Sequence, residues 1–159
     1  MEDFNRIMVA SGITKYCRQG VHYGISLARK YQAELYIFHA VYNPFGYEGF
    51  NLPMVSLDDG YRNILRETEK DLDGIIAKEQ ANGLRVRKLI REGNPVKEIL
   101  KAVHEHHIDL LVLLAHEENR MEHMEARLEK LIFGRSNEDL IRKMPCQILL
   151  VKQEFKSDW

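Results

Sequence analysis

The chain has 159 residues, 45% of them hydrophobic, with 23 basic against 24 acidic side chains and a formal net charge of −1. That length suits one domain with a sizeable core, and the balanced charge gives no broad electrostatic case for nucleic acid or an anionic membrane. Met1 to Arg6 has no signal-peptide pattern and no apolar run reaches membrane-spanning length. Cys17 and Cys146 fall in a predicted helix and strand rather than in a loop framework, so a cytoplasmic protein with buried or free thiols is expected.

Arg6 to Ala10 is a short apolar strand that Ser11-Gly12 ends. Thr14 can cap the helix that follows, in which Cys17, Val21, Ile25, Ala28 and Tyr31 recur at helical steps along one face. Gly20 and Gly24 weaken this helix and let it lie close to a sheet. Leu35 to Val41 is the second strand. Residues 42–56 are rich in breakers (Pro44, Gly46, Gly49, Pro53) yet carry Tyr42, Phe45, Tyr47 and Phe50, too many aromatics for a bare linker. Two readings stay open: a loop folded over the sheet edge or a partner chain, or a lid over a base or ring.

Leu57 to Ala81 is a long helix with Tyr61, Ile64, Leu65, Leu72, Ile75 and Ile76 on its core face, and Asn82-Gly83 stops it. Leu84 to Glu92 is a strand whose Arg85, Arg87, Lys88 and Arg91 suit an exposed edge rather than a nucleic-acid patch. Gly93-Asn94-Pro95 opens the next helix, with Asn94 as cap, Pro95 at the first helical position and Val96, Ile99, Leu100 and Val103 as the buried stripe.

The rest of the chain is organised around Asp109 to Val151. Two apolar runs, Leu110 to Leu114 and Ile148 to Val151, read as strands buried on both faces. Parallel strands need a crossover, and 134–143 has the pattern of its helix, with Gly134 at the start allowing backbone N–H groups close to an anion. Alternating strands and helices make a parallel sheet covered on both faces.

The segments "DLLVLLA…FGRSNEDLIRKMPCQILLV", "EGNPVKEILKAVHEHHIDLLVL", "RIMVASGIT" and "AELYIFHAV" together resemble the universal stress protein family. The resemblance spans most of the chain. It implies a single open five-stranded α/β domain over 1–159, strand order 3-2-1-4-5, with the basic third strand on an edge. It also implies a switch point between the first and fourth strands, where ligands bind in open sheets of this class. Ser11 to Thr14, Ala40-Val41 and the segment from Ala115 to Ser136 would meet there. The candidate nucleotide pocket is therefore Ser11, Gly12, Val41, Ala115, Gly134, Arg135 and Ser136.

This chain departs from the pattern of the family's ATP-binding members. Gly12 stands where an aspartate holds the ribose. Ala115 and Glu118 stand where the first two glycines of the Gly-x-x-Gly phosphate loop belong. Gly134 keeps the third glycine, and Arg135 replaces the serine after it. A carboxylate at the phosphate position is repulsive, while a guanidinium at a helix start suits a phosphate or carboxylate. Arg135 can equally pair with Glu117, Glu118 or Glu138. The loop is also roughly six residues longer than the pattern. In the added segment, about 118–132, Met121, Met124, Leu128 and Leu131 mark an amphipathic helix. That helix either packs on its own domain, covers the pocket or offers a Met-bearing surface to a protein partner.

His104, His106 and His107 suit a helix end through the dipole, and no metal motif accompanies them or the pocket-bordering His116 and His123. No nucleophile has a sequence-level base, and Gly-x-Ser-x-Gly is absent. The leading expectation is a non-catalytic stress-response or regulatory protein with a degenerate nucleotide pocket. The alternatives are an adenine-nucleotide switch, taking ATP or AMP (with Mg²⁺ if ATP) through Arg135 and the Gly134 helix start, and a weak ATPase or other hydrolase. The short apolar last strand, 147–152, lies at the far sheet edge. Left exposed it invites pairing, so a homodimer through that strand is expected, as in the family's usual dimers. Phe155 and Trp159 in the tail can help cover that partner.

Overall fold

The apolar runs take their places in one sheet, but only Leu110–Leu114 is buried throughout. Ile148–Val151 is an edge strand in which Val151 alone is buried and Leu150 is 46% exposed, because no neighbouring strand among the described residues covers its outer side. The computed structural model describes residues 3–11, 18–41, 55–115 and 136–152. Its five strands are β1 (Arg6–Ser11), β2 (Glu34–Val41), β3 (Val86–Glu92), β4 (Leu110–Ala115) and β5 (Gln147–Lys152). They lie in the order β3-β2-β1-β4-β5, and every pairing is parallel. Among the described residues the helices are α1 (Arg18–Tyr31), α2 (Val55–Ala81), α3 (Pro95–Glu105) and α4 (Ser136–Lys143). The expected inserted helix at 118–132 and residues 42–54 of the expected loop 42–56 lie outside the described residues. The last two residues of that loop, Val55 and Ser56, belong to α2, which starts two residues before the expected Leu57. Gly12, Thr14, Cys17, His116, His123, Gly134, Arg135, Phe155 and Trp159 also lie outside the described residues.

Strand side chains alternate between two cores, as the period of a strand requires. Ile7, Val9, Leu35, Ile37, Leu110 and Val112 pack with Val21, Ile25 and Ala28 of α1 and Leu72 and Ile76 of α2. Met8, Tyr36, Phe38, Leu111 and Leu113 pack on the other face with Val96, Ile99, Ala102 and Val103 of α3 and Leu140 of α4. The described residues of the helix stripes read from the sequence are those that pack; Cys17, the side chains of Tyr61, Ile64 and Leu65, and Met121, Met124, Leu128 and Leu131 lie outside the described residues.

Gly24 explains how α1 reaches the sheet so closely. A Cβ there would run into Val9 Cγ2 and stand 3.3 Å from Leu35 Cδ1. Asn94 caps α3 as expected: its side chain accepts a hydrogen bond from the Lys97 amide at 3.1 Å, with Pro95 opening the helix. Gly93 at φ 125° and Gly83 at φ 87° adopt the left-handed conformations that favour glycine.

The third strand begins at Val86, two residues later than its composition suggests. The Leu84 amide instead donates to Glu79 O at 3.0 Å and completes the end of α2. It is an edge strand, and its basic residues are partnered rather than simply solvated. Arg87 pairs with Glu34 at 2.5 Å, and Arg91 with Glu105 at 2.7 Å. Lys88 reaches Glu69 at 3.2 Å and Asp73 at 2.5 Å, while Arg85 donates to Gln32 O at 3.1 Å. At the amino end of the sheet, Asp109 Oδ2 accepts from the amides of Asn5 and Arg6, both at 2.8 Å, and ties β4 to β1. No helix among the described residues is long and apolar enough to cross a membrane.

Candidate functional site at the carboxyl edge of the sheet

The chain leaves β1 towards β2 on one side and leaves β4 towards β5 on the other. The neighbours β1 and β4 are therefore the strands between which a crevice opens. Their pairs run from Ile7–Leu110 to Val9–Val112, and the strands continue past that rung to Ser11 and Ala115. Ser11 is the last residue of β1, level with His39 of β2. Val41 closes β2 opposite Glu92, and Ala115 closes β4 opposite Lys152. Ser136 is the first residue of α4. Parallel pairing thus sets Ser11, Val41 and Ala115 along one edge of the sheet. The other three members of the sequence-based pocket, Gly12, Gly134 and Arg135, lie outside the described residues.

Asn137, absent from the sequence-based pocket, fixes the start of α4. Its Nδ2 donates to Leu114 O at 2.8 Å, bonding the first helical turn to the end of β4. The side-chain amide is thereby engaged with the protein's own backbone. Glu138 and Asp139 also sit in that first turn, exposed, and Arg142 and Lys143 in the last. This arrangement complements the helix dipole, and it puts two carboxylates in the first turn of α4. The sequence does carry a signal for Asn137: an Asn near a helix start readily bonds nearby backbone.

His39 is the second residue that pattern reading passes over. It lies 3% exposed near the carboxyl end of β2, and its Nδ1 has no hydrogen-bond partner among the described residues. Burial pushes its pKa below the ordinary histidine value; the Glu69 carboxylate acts in the opposite sense and the Lys88 ammonium in the same sense. Lys88 itself is held protonated above its ordinary range. Burial opposes this, but hydrogen bonds and attraction from Asp73 and Glu69 outweigh it.

Glu92 and Lys152 close β3 and β5 on this edge, while the histidines at the end of α3 and Cys146 before β5 lie away from the carboxyl ends of the strands. His106 caps α3 with its ring 5.0 Å from that of Tyr36, and its Nε2 is buried without a partner among the described residues. His104 and His107 do not share a helix face, since the helix ends at Glu105 and His107 turns to φ 50°. Among the described residues no three His, Cys, Asp or Glu side chains gather closely enough to hold a metal ion. The Cys146 thiol is raised by burial to about 11 and stays protonated near neutrality.

An open, doubly wound parallel sheet with its switch point between β1 and β4 defines a class of α/β folds that place ligands at the carboxyl edge. A profile of the universal stress protein family matches residues 3–152, so the chain belongs to that family. A search of curated proteins finds no significant match. Among solved structures, universal stress protein UspA from Lactobacillus plantarum is 19% identical with a TM-score of 0.63, covering 95% of this chain and 99% of its own. The universal stress protein from Archaeoglobus fulgidus in complex with dAMP is 18% identical at a TM-score of 0.59, covering 95% and 100%. A universal stress protein in complex with cAMP is also 18% identical at 0.59, covering 96% and 100%. At these identities the structures share the fold with this chain.

Proposed function

We propose that this chain is a non-catalytic stress-response or regulatory member of its family whose nucleotide pocket is degenerate. The observation that carries this reading is the start of α4. Asn137 is bonded to Leu114 O, and Glu138 and Asp139 stand in the turn where a phosphate would approach. Two like unit charges about 4 Å apart repel by about 1 kcal/mol in water, and by more near a protein surface, so each nearby carboxylate opposes an anion. The departures at Gly12, Ala115, Glu118 and Arg135 support the same reading, since they remove the ribose carboxylate and the glycines of a phosphate cradle.

A second reading, an adenine-nucleotide switch, is favoured by one kind of observation: two proteins of this fold were solved with cAMP and dAMP. In this reading Arg135 supplies the phosphate contact, Gly134 opens the helix start, and the backbone near Val41 meets the base. Calorimetric titration with MgATP, AMP and cAMP decides between the two. The degenerate pocket gives no saturable heat at millimolar ligand. Micromolar binding that Arg135→Ala abolishes establishes the switch instead.

The same reading takes 1–159 as one domain with an inserted helix near 118–132, a cytoplasmic location, and a homodimer formed through β5. The edge position of β5 supports the dimer, together with exposed Leu150 on it, Ile141 on α4 and Met144 just after α4. Sedimentation at micromolar concentration checks it: a dimer is expected for the wild type and a monomer for Leu150→Lys.

A further inference from the structure

The side of the sheet under α2 holds the buried His39 and the ion pairs of Lys88 with Glu69 and Asp73, none of them in the candidate pocket, and Lys88 is level with Ile37, two residues before His39 on β2. His39 points to the same side of the sheet as Leu35 and Ile37, which pack in the core under α1 and α2. From α2, Glu69 acts on it; from β3, Lys88 does. Asp73, also on α2, holds Lys88 at 2.5 Å, and Glu69 holds it at 3.2 Å. On α1 the buried residues are Gly20, Val21, Gly24, Ile25 and Ala28, which bring no charge to the sheet. The α1 cation Arg18 is paired with Asp71 at the exposed side of α2. On the β1 side His39 is level with Ser11, which carries no charge.

Neutral His39 fits this place because Lys88 already engages Glu69. A proton on His39 would put a second cation beside Lys88, with no acceptor on Nδ1 among the described residues. Glu69 is the anion that acts on both cations. A buried charge without a partner is costly, so protonation of the ring favours a movement of α2 that exposes it to water.

We propose that His39, buried without a partner for Nδ1 among the described residues beside the ion pairs of Lys88 with Glu69 and Asp73, makes this side of the sheet a proton-sensitive latch, in which proton uptake by His39 loosens the middle of α2 from the sheet. The device does not require a nucleotide in the pocket. It does lie beside it: His39 is level with Ser11 and two residues before Val41, so loosening α2 would act on the same edge of the sheet.

Burial lowers the folded-state pKa of His39 from 6.5, so the unfolded or opened state binds the proton more tightly. The closed state is fully favoured above about pH 6.5, and it loses that advantage as pH falls through 6.5 towards the folded pKa. Below both values the loss is complete. A tenfold difference in proton affinity between the closed and opened states makes about a tenfold change in the opening constant.

Backbone hydrogen exchange along α2, Glu67 to Ile76, tests this at pH 7.5 and 5.5 after correction for intrinsic exchange. Wild-type protection should fall several-fold, up to about tenfold where the two states differ tenfold in proton affinity, while α3 keeps its protection. His39→Leu should remove the difference between the two pH values. Should that variant fail to fold, the ring signals of His39 in wild-type protein report the same quantity by NMR titration. A midpoint below 6.5, with loss of α2 protection over the same range, upholds the latch. A midpoint at or above 6.5, unchanged α2 protection, or a pH response that survives in His39→Leu overturns it.

Discussion

At Asp109 a single side chain holds two strands together. Its Oδ2 takes two amide hydrogen bonds at 2.8 Å, from Asn5 and Arg6, while the Asp109 amide returns one to Arg6 O at 2.9 Å. Hydrogen bonds to a charged group are worth about 1.5–3 kcal/mol, so Asp109→Ala should destabilise the fold by about 2 kcal/mol in urea unfolding. Cys146 gives a second test at this scale. With its thiol raised to about 11 by burial and its Sγ 3.4 Å from Gln147 O, it should alkylate slowly at pH 7.5 in the folded protein and rapidly once unfolded, as peptide mapping can resolve. Asp109 is legible in the sequence as a strand start, but the carboxylate's role is not. Composition cannot show that residues more than a hundred positions away supply the two amides. His39 is hidden for the same reason: within an apolar strand one histidine looks like a tolerated exception until its neighbours on α2 and β3 are known.

At the scale of the element, close approach and helix endings set the geometry. Gly24 allows α1 to lie against Val9 and Leu35. Gly24→Ala should therefore cost about 1–3 kcal/mol, despite alanine's better helix propensity, and thermal unfolding should show the loss. Gly20 has its nearest such contact, Val9 Cγ1, at 3.6 Å, so Gly20→Ala should be far milder. Both glycines look alike in the sequence, and only the depth of contact separates them. The helix ends divide in a similar way. Gly83 ends α2 at a site marked by Asn82-Gly83, but Gln32, His107 and Met144 adopt left-handed φ values of 55°, 50° and 39° after α1, α3 and α4 with no glycine to mark them. A left-handed non-glycine residue costs about 1–2 kcal/mol, so Gln32→Gly should raise stability by up to about 1 kcal/mol after the entropy of the unfolded chain is offset. The late start of β3 belongs here too, because Leu84 is drawn into the end of α2 by its bond to Glu79 O.

Across the whole molecule, the strand order and the doubly covered sheet are legible because period-two and period-3.6 patterns alternate cleanly and charge marks β3 as an edge. The candidate site is legible only as a place. Ser11, Val41 and Ala115 share the carboxyl edge that the fold dictates, but what binds there depends on side chains and loop paths that strand patterns do not encode. The structure adds the anchoring of α4 by Asn137 and the carboxylates of its first turn, on which the proposal of a degenerate pocket rests. Thermal unfolding with and without millimolar MgATP and AMP tests that account most directly. A ligand at about one hundred times its dissociation constant stabilises the folded state by about 2.7 kcal/mol and must raise the melting temperature. No shift is expected for the wild type; a clear rise that Arg135→Ala abolishes would contradict a degenerate pocket and establish a nucleotide switch.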